Sequence, residues 1–486
     1  MSTPDFFRAR LDAMIDLRHP LAVLATRMPW AEIEKSLAPL FARKARMGSM
    51  KLDADMFGPA AVVVAGGLSA AGRPRLPIRL MVALLYLKHA FNESDESVVE
   101  RWAQDVCFQF FSGQEYFEHR LPCDPSQIGR FRRVLGEAGV EQLLKTTIET
   151  AVRIQAVKKS EFERVIVDTT VQEKAIAHPT DSRLLEVARG QLAELAKKLG
   201  LAPKQTFERE GQTLRRKAGG YAHARQFKRL KKVLRRQRTI LGCLMRDVQR
   251  KMAALSETAR ATLQELLDRV ARIHAQTASK ANASGRGKLY ALHAPEAECI
   301  GKGKARKPYE FGVKTSLAIT HGQGLIVGAR TFPGNPYDGH TLAAQLEQTT
   351  TLLQDLEVKP TTAIVDLGFR GADEDIAPIE LIHRGKSKRL SDKQRRWLKR
   401  RQAVEPVIGH VKQDHGMQRC WLKGSEGDAL HAVLCAAGYN LRWLLRAIAR
   451  KGLKGLFAPV LWLAMWLAWL VSDHAGTANH PAMASN

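Results

Sequence analysis

Three acids in this chain have surroundings suited to holding a hard metal ion: Asp168 in FERVIVDTT, Asp366 in TTAIVDLGFRG and Glu405 in RRQAVEPVIGHVK. Asp168 and Asp366 close short apolar runs that read as buried strands, and Glu405 lies in a basic stretch of helical character. Carboxylates gathered at strand ends repel one another unless a cation joins them, so the trio predicts an oxygen-liganded ion such as magnesium. A bridging aspartate with an acid on either side would satisfy two such ions, roughly 3.5 to 4 Å apart, which suits phosphodiester hydrolysis or transesterification. Manganese could take the same ligands. Arg401, Glu405 and Lys412 are spaced four and seven residues apart and share one helical face, so the acid can hold metal while the two cations face the scissile strand. Pro406 removes a backbone donor and disfavours helical geometry at Glu405. The helix must therefore kink there or restart with Pro406 in its first turn, leaving the acid at a helix N-terminus. His178, His340, His410 and His415 sit near these segments and read as structural or phosphate-contacting, because oxygen ligands suit magnesium better.

The overall charge fits a polyanionic partner. Against 49 Asp+Glu there are 76 Lys+Arg in 486 residues, a formal charge of +27. The six cysteines form neither a CxxC pair nor a Cys/His cluster in sequence, so a structural zinc or a disulfide framework is not expected and a reducing cytoplasm is. The first twenty residues lack the apolar stretch of a secretory signal. From Gly455 to Val471 the chain runs GLFAPVLWLAMWLAWLV behind several basic residues. That stretch is at the short limit for a membrane span and carries Pro459, so a terminal helix packed on the body or on a second subunit is preferred.

The elements that must position the acids follow from periodicity. Residues 1–155 read as an all-α N-terminal domain, with helix starts at Ser94 and at Asp124-Pro125-Ser126. Arg130, Arg132 and Arg133 on its last helix suit either a helix-turn-helix-like reader of duplex DNA or a plain bundle with solvated arginines. Residues 156–450 read as a catalytic domain, interrupted at 181–290 by a basic helical insertion, and 451–486 as an apolar helix and tail. The insertion contains RRKAGGYAHARQFKRLKKVLRRQRTI, which has no acid to balance Arg235, Arg236 and Arg238 or their neighbours. Like charges at helical spacing cost energy unless phosphates neutralise them, so contact with a nucleic-acid backbone is favoured over a solvated face. After the insertion come the strands YEFGVKTSLAI and GLIVGARTF joined by THGQ, a helix that Asp338 can cap, the strand TTAIVD, a short helix GADEDIAPI and the strand ELIHRGK. Strand, insertion, two hairpin strands, helix, strand, helix, strand, helix is the order expected of a ribonuclease-H-like α/β core, a mixed sheet flanked by helices, whose first and fourth strands carry Asp168 and Asp366 side by side.

With these motifs the chain resembles the DDE transposases of bacterial insertion sequences, in particular the large family numbered five. The resemblance rests on DTT after one strand, DLGFRG after another and Arg401, Glu405 and Lys412 in register. CDPSQIGRFRR, HAPEAECIGKGKARKPYEFGVK, PGNPYDGHTL, EPVIGHVK and LKGSEGDALHAVLCAAGYNLRWLLR extend it over roughly Pro77 to Arg446. It implies an enzyme that binds the terminal inverted repeats of its own element, cuts at the element ends and joins the freed 3′-hydroxyls to target DNA. Asp168, Asp366 and Glu405 would be the catalytic metal ligands, with Arg401 and Lys412 contacting DNA near the cut. A tyrosine of the related pattern is replaced by Leu398. The partners implied are double-stranded DNA, as element ends and as target, and a second copy of the chain when two ends are paired, in a bacterial cytoplasm and on the nucleoid when bound. A nuclease or resolvase on the same fold that cuts without joining, and a non-catalytic DNA-binding regulator derived from a transposase, are the alternatives. Removing the charges of Arg235, Arg236 and Arg238 is expected to flatten the salt dependence of DNA binding; an unaltered slope would place these residues against water.

Overall fold

The computed structural model describes residues 9–41, 76–278, 287–301, 307–371, 379–385 and 390–452 in full, and the backbone of 51–55, 58–62 and 453–476. The N-terminal part contains α1 (Leu11–Met14), α2 (Pro20–Arg27), α3 (Trp30–Leu37), α4 (Ile78–Phe91), α5 (Asp95–Gln104), α6 (Val106–Phe111) and α7 (Pro125–Arg153). Both expected starts are present. Ser94 and Ser97 exchange side-chain and backbone hydrogen bonds in a capping box, and Asp124 accepts from Ser126 N–H with Pro125 at the first position. The helix α7 is broken at Gly136, whose φ of 59° no helix interior allows. The expectation of an all-α N-terminal part is corrected by a two-stranded antiparallel hairpin, β1 (Lys51–Asp55) and β2 (Gly58–Val62). The alternation of LDAD suits a strand and the Gly58-Pro59 step suits the start of an edge strand.

The sheet begins with β3 (Arg164–Glu173), rich in β-branched residues and buried on both faces. Four helices follow, α8 (Asp181–Lys198), α9 (Glu208–His223), α10 (Phe227–Lys251) and α11 (Glu257–Gln276). Of these, α8, α10 and α11 close around their own apolar cluster, including Leu185, Leu192, Leu244, Leu267 and Ile273. The sheet resumes with β4 (Glu298–Gly301), β5 (Tyr309–Thr320) and β6 (Ile326–Phe332), then α12 (Asp338–Leu353), β7 (Thr362–Ile364) and β8 (Glu380–Ile382). Along β5, one edge pairs antiparallel with β3 and the other takes β4 and then β6; β3 in turn pairs parallel with β7, and β7 with β8. The architecture is thus mixed α/β, a mixed sheet flanked by helices. The expected short helix GADEDIAPI falls mainly on residues outside those described.

Three helices complete the chain: α13 (Asp392–Lys399), α14 (Val404–Asp414) and α15 (Gly424–Gly476). α15 lies against α4 and α7 on one side and β6 on the other, so the N-terminal helices and the sheet share one hydrophobic core. The change near residue 155 is one of element type and not of core. Among the described residues no helix is long and apolar enough to cross a membrane; the side chains of the apolar stretch 455–471 lie outside the description.

Two buried amides close the open edge of β6. Ile326 N–H donates to Asn440 Oδ1 (3.0 Å) and Asn440 Nδ2 donates to Ile326 O (2.8 Å) and Thr147 Oγ1 (2.9 Å), while Gln348 makes the equivalent pair with Ala329 (2.9 and 3.1 Å). Each side-chain amide imitates a neighbouring strand and removes unpaired backbone groups from an apolar interface. Asn440→Leu, which orphans both groups of Ile326, is expected to destabilise the fold by about 2–4 kcal/mol, read as a lower urea midpoint; an unchanged midpoint would mean that water replaces the amide.

Candidate functional site

Asp168 owes its position to the register of two strands. The parallel ladder of β3 and β7 runs Arg164 to Thr362, Val165 to Ala363 and Ile166 to Ile364. Two residues beyond the last pair on each strand stand Asp168 and Asp366. Asp366 leaves the strand and caps the 3-10 turn Leu367–Phe369, its Oδ1 accepting Gly368 N–H at 2.7 Å. A Cβ at Gly368 would lie 3.0 Å from Asp366 Oδ1 and 3.0 Å from Asp338 Oδ2, so the two carboxylates flank one point and only glycine leaves it open.

Asp338 stands inside α12 and turns its carboxylate to the sheet. It was expected to cap α12, yet Tyr337 holds the cap position and makes no side-chain cap bond. The Asp338 carboxylate instead accepts from Thr169 Oγ1 (3.0 Å) and from Lys314 Nζ (2.9 Å), beside the Asp168 strand. Lys314 was the available signal: a cation in the middle of an apolar strand must find an acid, and the GNPYDG turn supplies one.

Glu405 stands in the first turn of α14, following a 3-10 turn from Arg400 to Ala403, so the helix restarts around Pro406 and does not kink through it. Arg401 ties this helix to the sheet. Its guanidinium lies 3.5 Å from Asp168 Oδ2 and 3.7 Å from Glu405 Oε1, between the two acids. Arg401 and Asp168 are largely covered, whereas Glu405 is well exposed. Burial, the neighbouring Asp366 carboxylate and then Asp338 push the Asp168 carboxyl up to about 6, against the pull of Thr169 N–H and Arg401. An acid so placed is poorly neutralised by the protein alone. An all-oxygen donor set with a deficit of positive charge fits a hard divalent cation.

The other candidates are distributed over three surfaces. Lys412 lies on the Glu405 helix but its ammonium is 3.7 Å from Glu310 Oε2 on β5. Arg130 and Arg133 on α7 are exposed. Arg132 is buried and paired with Asp95 at 2.8 Å, an acid also held by Lys88 at 2.5 Å, so it is neither a solvated arginine nor exposed to meet duplex DNA. Its place on the helix puts it on the buried face with Ile128, Phe131 and Leu135. On α10, Arg235 and Arg236 are exposed and Arg238 is half-buried. Arg236 meets Glu210 of α9 at 2.7 Å, a counter-charge from outside the acid-free stretch. His415 is buried and its Nδ1–H donates to His89 O (2.9 Å), and His410 pairs with Asp414 (2.7 Å), consistent with structural work. Among the described residues, the His/Cys/Asp/Glu trio whose ligand atoms all lie within 4.8 Å of one another is not acidic: it is His89, His431 and Cys435.

Two family models match the chain. "Transposase domain (DUF772)" covers residues 9–134 and "Transposase DDE domain" covers residues 282–441. A curated relative, "Uncharacterized protein ORF8 in nfe locus" of Rhizobium meliloti, is 42% identical over 223 residues, which is 46% of this chain and 95% of that protein. No solved structure matches.

The raised carboxyl of Asp168 has a consequence for stability. Its folded-state value of about 6 lies above the ordinary 3.8, so ionising it opposes folding progressively between those values and fully above them, by up to about 3 kcal/mol. Asp168→Asn removes that charge and keeps an oxygen for Thr169 N–H. In chelator, well above the folded-state value, the variant is expected to melt at a higher temperature than the parent; an equal or lower melting temperature would show that Asp168 is not held against repulsion.

Proposed function

The chain belongs to the DDE transposases, typical of insertion sequences, enzymes that cleave DNA and transfer strands, and from that premise we propose that Asp168, Asp366 and Glu405 are its catalytic acids, carried by a ribonuclease-H-like core. The reading rests on one observation above all: the β3–β7 register brings Asp168 and Asp366 to adjacent strand ends, while Arg401 links Asp168 to Glu405. The antiparallel β5–β6 hairpin beside β3 and the parallel β7 and β8 beyond it support the same core. Strand transfer takes the place of the two other readings, a nuclease that cuts without joining and a regulator.

DDE transposases use divalent metal ions, and magnesium as a pair is the reading that the oxygen donors of this site favour. When bound, such ions activate the attacking oxygen and stabilise the leaving one. The residues of the chain do the rest. Asp168 and Asp366 are oriented as ligands by Thr169 N–H and Gly368 N–H, each of which occupies one carboxylate oxygen, while the second oxygen of Asp168 faces Arg401. Asp338, neutralised by Lys314, holds Thr169 and with it the strand next to Asp168. Glu405, on its own helix, brings the third acid from the solvent side. Arg401 supplies positive charge between Asp168 and Glu405 and is placed to meet a phosphate there. In the first step water displaces the 3′-oxygen at the element end; in the second that freed 3′-hydroxyl attacks a target phosphodiester, and one phosphodiester replaces another.

DNA contact falls to exposed cations outside the acid cluster: Arg130 and Arg133 on α7, and Arg235 and Arg236 on α10, with Lys412 nearer the site. The basic insertion 181–290 carries a core of its own, which suits a module that grips DNA while the sheet cuts it. Holding two element ends at once calls for two copies of the chain. Asp366→Asn is expected to abolish cleavage of element-end DNA in magnesium while leaving end binding within about twofold of the parent, since an uncharged amide still accepts from Gly368 but no longer binds the cation. Cleavage at the parental rate would remove Asp366 from the site.

A further inference from the structure

We propose that His89, His431 and Cys435 form a binding site for a soft divalent cation of the zinc class, separate from the acid cluster and built where α4 meets α15. The three side chains are buried, and their donor atoms lie within 4.8 Å of one another. Cys435 Sγ is 3.6 Å from His89 Nδ1 and 3.6 Å from His431 Nε2. A tetrahedral zinc with thiolate and imidazole bonds of about 2.3 and 2.0–2.1 Å places sulfur about 3.5 Å from each nitrogen. The protein therefore already holds the thiol at coordination spacing from both imidazoles.

The packing explains how residues so distant in sequence come together. A Cβ at Gly438 would meet His89 backbone carbon at 2.5 Å, so the two helices touch backbone to backbone and His89 is pressed towards the His431 and Cys435 turn of α15. His431 and Cys435 are four residues apart on one helical face. His89 gains little from the protein in return: its Nε2 is buried without a hydrogen-bond partner, and its Nδ1 faces only the thiol. Burial lowers the affinity of both imidazoles for protons, so they are neutral donors. Binding releases the thiol proton, and His431 exchanges its bond to Gly416 O (3.0 Å) for the cation, its proton passing to Nδ1. The fourth position is left for water. His89 and His431 line a cleft of about 630 Å³ that also borders Lys412 and Trp421, which gives the cation a way in. Bound there, the cation would pin the N-terminal helices to the helix that follows the Glu405 segment.

Titration of the metal-free full-length chain with cobalt(II) tests this. One equivalent is expected to give the visible bands of tetrahedral cobalt together with a thiolate-to-cobalt charge-transfer band, and Cys435→Ala is expected to lose the charge-transfer band while retaining its far-ultraviolet circular dichroism. Absence of the band in the parent chain, or its survival in Cys435→Ala, would overturn the proposal, the second by assigning the ligand to another cysteine such as Cys107 or Cys299. Should Cys435→Ala not fold, zinc-edge X-ray absorption of the parent chain decides: one sulfur and two nitrogens support the site, and an all-oxygen shell refutes it.

Discussion

The parallel pairing of β3 with β7 is the contact on which the functional arrangement depends. Three residue pairs fix its register, and a slip of one residue would turn either aspartate to the other face of the sheet. Everything between the two strands, including the helical insertion, the hairpin and α12, must therefore be accommodated without moving that ladder. The insertion manages this by closing around its own apolar cluster, so that it adds charge to the molecule without intruding on the sheet.

The site is held by a chain of polar contacts that runs outward from the ladder. Lys314 fixes Asp338, Asp338 fixes Thr169, and Thr169 N–H fixes Asp168, while Gly368 does the same for Asp366. Such a network orders acids that would otherwise separate under their own repulsion. Arg401 works in the opposite sense, lending the charge that the acids lack and tying the Glu405 helix to a buried strand.

The helix α15 plays the same part for the body of the molecule that β7 plays for the site. It fills the space between the N-terminal helices and the sheet, pairs the free edge of β6 through Asn440, and meets α4 so closely that Gly438 is required there. The motif AAGYNLRWLLR thus has a structural reason for its asparagine and its glycine. On the same helix the nitrogen and sulfur donors of His431 and Cys435 lie apart from the oxygen donors of the acid cluster, as two chemically distinct sets.

By itself the sequence was enough for the strands that carry the acids and for the hairpin and helix between them, because β-branched runs and glycine turns act locally, but it did not reveal the short strand β4. Asp168 and Asp366 could be paired from that order alone, whereas proline's missing donor and fixed φ allowed either a kink or a restart at Pro406, and the structure has the restart. What tertiary structure decided were the partnerships made across long separations. Arg132 and Arg133 are neighbours of the same type, yet one turns to Asp95 and the other to solvent. Asp338 has the sequence context of a helix cap and serves Lys314 and Thr169 instead, because a buried ammonium outcompetes exposed backbone donors. The scattered cysteines and histidines carry no spacing that marks a metal site, and only the approach of α4 to α15 at Gly438 brings three of them together.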